Sequence, residues 1–142
     1  MSATVYFVVY GKPVGKGRPR ATSRGGFVRM YTDEKTEAYE AAVADEARIA
    51  MRDWQAFETP MQMQLSAYYY IPKSWSKKKR QMAMDGEIHP QVKPDLDNVM
   101  KAVLDAMNGV VYVDDSQVIN MVATKRYSSD PRIEVYLHEV LK

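Results

Sequence analysis

Five aspartates stand within the stretch KPDLDNVMKAVLDAMNGVVYVDDSQV, residues 93–118: Asp95, Asp97, Asp105, Asp114 and Asp115. Only Lys93 and Lys101 accompany them, and the residues between are largely apolar. A solvated acidic run would be polar throughout. Carboxylates gathered in a partly shielded place repel one another, which raises their pKa values and costs stability, and a divalent cation removes the problem. Mg²⁺ suits oxygen ligands, keeps several waters, and takes one or two carboxylates plus phosphate oxygens. Such a site can hold an attacking water and offset the charge that grows on a phosphate during in-line displacement. Lys101, one helical turn after Asp97, would place an ammonium beside the scissile phosphate or the leaving oxygen. These residue types at this spacing ask for phosphodiester chemistry.

The elements that must position them follow from local pattern. Asp97 reads as the N-cap of a helix that runs through Met107 or Asn108 and stops at Gly109, with Met100, Val103, Leu104 and Met107 as its buried stripe. Asp97, Lys101 and Asp105 are then spaced i, i+4, i+8 along one side, bordering that stripe. VVYV (110–113) reads as a short buried strand and DDSQ (114–117) as a turn. If that strand lies beside the helix start, carboxylates from both places meet. Plainer roles are open to the same residues: Asp97 as a cap alone, Asp105 as the partner of Lys101 in an exposed pair, and Asp114–Asp115 as turn chemistry.

Elsewhere, residues 4–10 (TVYFVVY) are β-branched and aromatic and form a strand, followed by a Gly-, Pro- and Arg-rich loop or irregular hairpin over 11–30. A helix runs from Thr32 or Asp33 to about Asp53, and 61–71 alternates as a half-buried strand ended by Pro72. Ser74 or Ser76 caps a short basic helix to about Met84, and strands follow at 118–127 and 132–140. With no repeat and no linker, residues 1–142 form one α+β domain, a small, mostly antiparallel or mixed sheet with helices packed against it.

Of the 142 residues, 46% are hydrophobic and 27% charged, which is ordinary for a folded domain of this length. No apolar run approaches a membrane span, and the N-terminus lacks the charged region of a secretory signal. Zero cysteines exclude disulfides, thiolate zinc sites and thiol nucleophiles, and a cytoplasmic location is expected. The net charge of +2 hides segregation. Residues 10–30 carry Lys12, Lys16, Arg18, Arg20, Arg24 and Arg29, and residues 73–80 carry Lys73, Lys77, Lys78, Lys79 and Arg80, both without an acid. These eleven leave nine basic residues against all eighteen acids, so the rest of the chain is net −9. Such acid-free basic segments suit the phosphates of a nucleic-acid backbone, and Lys16, Arg18, Arg20, Arg24, Lys77, Lys78, Lys79 and Arg80 are the expected DNA contacts. A solvated helix face is the competing reading of KSWSKKKR. Trp75 is expected as a partial core anchor, and His89 as a surface loop residue.

The 93–118 stretch closely resembles the signature of the RusA family of Holliday junction resolvases, found in bacteria and in their phages and prophages. The likeness lies in PDLDN, in the lysine four residues after the second aspartate, in LDAMNG and in DDSQV. GKPVGKGRPRAT and YTDEKTEAYE are also similar, so it covers most of the chain. The resemblance implies a homodimeric endodeoxyribonuclease that requires Mg²⁺, with Mn²⁺ able to stand in, and nicks two opposed strands of a four-way junction. Carried over by motif, Asp95, Asp97 and Asp115 are the metal ligands and Lys101 the essential lysine. Asp114 becomes an outer neighbour and Asp105 a part of the helix that supports the site. Two other functions are weighed against this one: a less selective Mg²⁺ nuclease for flaps or forks, and a protein that binds junctions without cutting.

Overall fold

The computed structural model describes the backbone of residues 3–17, 20–24, 27–31 and 33–141, and the side chains of 3–17 and 33–141. Strand β1 (Thr4–Tyr10) buries Val5, Phe7 and Val9 and turns the alternate residues outward, as a period of two requires. The basic segment after it folds partly as a hairpin of β2 (Arg20–Arg24) and β3 (Phe27–Tyr31), paired with each other alone. Helix α1 (Glu34–Met51) starts where the Asp33 carboxylate accepts the Lys35 N–H, with Glu34 and Glu37 in the first turn facing the positive end of the helix dipole. Strand β4 (Met61–Tyr70) puts Met61, Met63, Leu65, Ala67 and Tyr69 on one face. Helix α2 (Lys77–Met84), capped by Ser76, and helix α3 (Leu96–Met107) lead to β5 (Val118–Ser128), and β6 (Arg132–Glu139) closes the chain.

The main sheet has the order β1-β6-β4-β5, antiparallel except for the parallel β4–β5 pair. A parallel pair needs a long crossover, and α2 and α3 are that crossover. The architecture is therefore α+β with a mixed sheet. Helices α1 and α3 pack on each other and on one face, α1 over β1 and α3 over β4 and β5. Residues on the other face of all four strands are half-buried or exposed.

Three local features depart from the sequence reading. Helix α3 begins at Leu96 with Asp95 as its N-cap, so Asp97 sits in the first turn. Its fully buried residues are Val99, Ala102, Val103 and Met107, while Met100 and Leu104 are only half-buried. The stripe is rotated because α1 covers one flank of α3 as well as the sheet covering its underside. Each of these larger side chains contributes about 1.5–3 kcal/mol by burial, so Val103→Asp would unseat the helix. VVYV is no strand: Gly109, at φ +76°, turns the chain so that its N–H donates to Tyr112 O, and Tyr112 makes only isolated bridges to Phe57 and Asn108. Val111 and Tyr112 are buried all the same. No helix among the described residues is long and apolar enough to cross a membrane.

Candidate active site and nucleic-acid surface

Helix α3 runs antiparallel to β4. Its start lies at the Tyr69 end, where the Tyr69 hydroxyl donates to Pro94 O and Lys125 Nζ to Val92 O. Its end lies near the first residues of β4, because Phe57 exchanges backbone hydrogen bonds with Val111 and Val113 just ahead of that strand. Burial, and secondarily the nearby Asp95 carboxylate, push the Tyr69 hydroxyl up to about 12, so it stays a proton donor. Asp95 is exposed, caps the helix with its backbone alone, and lines a cavity of about 380 Å³ with Lys12, Lys35, Lys93 and Asn98.

A loop holds this end in place. Lys16 N–H donates to Asn98 O at 2.9 Å, and Gly15 lies so close to α3 that a Cβ there would come within 2.8 Å of Pro94 Cβ and 2.9 Å of Asn98 Cβ. The Lys16 ammonium reaches Asp105 Oδ2 at 2.7 Å and Glu40 Oε1 at 3.0 Å, joining the loop to both α3 and α1. Lys16, expected as a DNA contact, has its charge paired with these two carboxylates. Burial opposes ionisation of Asp105. The ammoniums of Lys16 and of Lys101, the latter at 3.1 Å, outweigh it and hold the carboxyl below its ordinary value.

The DDSQ turn is a 3-10 turn over Asp115–Gln117. Asp114 accepts the Ser116 N–H at 3.0 Å, and the Gln117 side chain closes a capping box by accepting from Asp114 N–H at 3.0 Å. The Gln117 amide also donates to Phe57 O and Thr59 O, fastening the turn to the core. The hydrogen bonds from Ser116 hold the Asp114 carboxyl below its ordinary value. Asp115 is half-buried beside Tyr112, whose hydroxyl donates to Leu104 O at 2.7 Å. Burial, then Asp115, Asp105 and Asp114, raise the Tyr112 hydroxyl far above its ordinary value.

The five aspartates thus divide. Asp105 and Asp114 have protein partners, whereas Asp95, Asp97 and Asp115 accept no hydrogen bond and form no ion pair among the described residues. These three do not meet at one point, and no group of three His, Asp or Glu side chains among the described residues is placed to hold a metal ion. Asp115 faces the C-terminal half of α3. Asp95 and Asp97 precede Leu104 by nine and seven residues, roughly 13 and 10 Å along the axis. Lys101, exposed and paired with Asp105, lies between.

Lys77, Lys78, Lys79 and Arg80 form the first turn of α2, all exposed and none in an ion pair among the described residues. Lys79 lies 4.0 Å from the ring centroid of Trp75, which packs edge-on against Tyr127. Trp75 is thus the expected anchor. His89 is exposed, and it lines a cleft beside β5 away from the aspartates. Arg18 lies outside the described residues, as do the side chains of Arg20 and Arg24, whose backbones belong to β2. Sequence reasoning missed Gly15, Tyr69, Tyr112 and Gln117. Only Gln117 carried a usable signal, an acid followed three residues later by Gln.

The described residues thus form a small mixed sheet with helices on one face, carrying three carboxylates that have no partner among them. The family described as "Endodeoxyribonuclease RusA" matches residues 10–138, and the chain belongs to that family. It is also 41% identical over 138 residues, 96% of each chain, to "Uncharacterized protein YqaN" of Bacillus subtilis (strain 168).

Proposed function

We propose that the protein is a Mg²⁺-dependent endonuclease that resolves four-way DNA junctions by paired nicks in opposed strands, working as a homodimer. The division among the aspartates carries the reading. A carboxylate that no ion pair or hydrogen bond engages keeps its charge for an outside partner, and among the described residues Asp95, Asp97 and Asp115 are three such groups. Their chemistry fits a hard divalent cation, which accepts one or two carboxylates and completes its shell with water and phosphate. When bound, Mg²⁺ would acidify a water and offset charge at the phosphate.

The separation along α3 gives the dimer a role. A two-fold contact that sets the start of α3 in one protomer against the DDSQ turn of its partner would make two complete sites, each with Asp95 and Asp97 from one chain and Asp115 from the other. Lys101, between the two ends, would leave Asp105 to place its ammonium on the reacting phosphate. Tyr69 and Gln117 hold the two acidic ends rigid. The cations of α2 grip DNA further out. Four positive side chains at a helix N-terminus oppose the dipole, at about 0.3–1 kcal/mol each, a cost that a bound phosphate turns to advantage.

The test is cleavage of a mobile four-way junction, a linear duplex and a flap, each with and without Mg²⁺. Symmetric paired nicks in the junction alone are expected. Equal cutting of all three would reduce the protein to a less selective nuclease, and binding without Mg²⁺-dependent cutting would make it a junction binder.

A further inference from the structure

The face of the sheet opposite α1 and α3 carries a pattern that the active site does not use. Strand register places Tyr10, Arg132, Tyr68 and Arg126 side by side across all four strands, aromatic and cation alternating. Four strands at about 4.8 Å spacing make this row roughly 14 Å wide. The Arg132 guanidinium lies 4.0 Å from the Tyr68 ring centroid, and beyond the row Lys12 lies 5.4 Å from that of Tyr70. Tyr10 is 68% exposed and Tyr70 51%, although large aromatic side chains are usually sequestered. Tyr70 also borders a groove of about 540 Å³ that holds Lys73, Lys77 and Arg80 and no acid.

We propose that this face, from the Tyr10–Arg126 row to the groove under α2, binds single-stranded DNA, its tyrosines stacking on unpaired bases and its arginines and lysines holding the phosphates. Every base offers a π-face, but only an unpaired strand can lay that face on a flat sheet. Glu134 is the one acid among the face's strand residues, and Arg132 already holds it at 2.7 Å. A second copy of the chain is the poorer occupant, because a two-fold contact brings like surface to like and would face this cationic row with itself. The proposal extends the reading of a DNA enzyme to a second surface on the opposite side of the sheet from α3, and it requires nothing of the aspartates.

Fluorescence anisotropy with a labelled 15-nucleotide oligothymidine, in EDTA so that no cutting intervenes, tests it on the intact protein. Tyr10→Ala and Tyr70→Ala should each weaken binding by about fivefold or more. Arg126→Ala should do likewise, while affinity for a blunt duplex should hardly change. In the unmutated protein, an oligonucleotide carrying 5-iodouracil should photo-crosslink to Tyr10, Tyr68 or Tyr70, a readout independent of any variant's folding. Unchanged oligothymidine affinity together with crosslinks confined to other surfaces would overturn the proposal. So would Tyr10→Ala and Tyr70→Ala turning a sedimenting dimer into a monomer, which would make the face a contact between copies. Loss of Mg²⁺-dependent cutting in aspartate variants, with oligothymidine binding retained, would bear on the active site alone.

Discussion

Lys16→Met keeps the aliphatic stem and removes the ammonium that ties the first loop to α1 and α3. The side chains of Lys16, Glu40 and Asp105 are each only about one-fifth exposed, so solvent screens the two contacts weakly. Hydrogen bonds to charged groups contribute about 1.5–3 kcal/mol each before relaxation. Asp105 keeps Lys101 and Glu40 can turn to water, so the net loss should be about 2 kcal/mol. In a domain of this size that lowers Tm by roughly 6–8 °C. The pH dependence follows from the shifts. Asp105 is held below its ordinary value, so its contribution is complete above the unfolded value of about 4 and lost as pH falls through the lower folded one. Lys16 is raised, chiefly by Asp105 and against its own burial, so its contribution is complete below about 10 and lost at higher pH. Urea melts at pH 7 should therefore show the full loss, and melts near pH 3 a smaller one. A double-mutant cycle with Asp105→Asn should return a positive coupling. Junction affinity should keep its salt dependence. A variant that melts like the parent and binds junctions with a shallower salt slope would refute the internal tie and return Lys16 to the DNA surface.

Asp115→Asn should abolish Mg²⁺-dependent nicking and leave junction binding intact or tighter. Asp114→Asn keeps a side-chain oxygen for the Ser116 N–H, so nicking should be retained with little change in melts; equal loss from both would erase the distinction between ligand and cap. Lys101→Ala should lower the single-turnover rate at saturating DNA by about tenfold or more with little change in affinity, because its cation acts on the transition state. Normal cutting would leave Lys101 as no more than the partner of Asp105. Neutralising Lys77, Lys78 and Lys79 should flatten the plot of log affinity against log salt by up to about 0.9 per lost phosphate contact, for junctions of any sequence. An unchanged slope would take α2 off the DNA.

The elements were legible where one physical signal dominated. Alternation marked Met61–Tyr70, and helix-forming residues with acids in the first turn marked a helix from Thr32 or Asp33, close to the observed Glu34. The start of α3 was harder, since both aspartates of PDLDN suit a cap and only the fold shows Asp95 taking it. VVYV misled because burial and strand pairing usually coincide, and here Gly109 separates them. The candidate site was legible as a motif and illegible as an arrangement. Nothing in the spacing of Asp97, Asp105 and Lys101 announces that a lysine 89 residues upstream of Asp105 completes the pair. Nor does sequence reveal that the DDSQ turn lies at the far end of α3 from PDLDN, because that depends on the direction in which the crossover helix runs.

The central claim is that two chains complete each active site, and mixing two inactive variants tests it most directly. Asp97→Asn and Asp115→Asn homodimers should each be unable to nick a four-way junction in Mg²⁺. If α3 of one protomer works with the DDSQ turn of the other, the mixed dimer holds one wholly intact site and one doubly damaged site. Purified by two different tags, it should nick one strand per junction at about half the parental rate. If each site lies within a single chain, both sites of the mixed dimer are damaged. A mixed dimer as inactive as its parents, with junction binding intact, would contradict the claim.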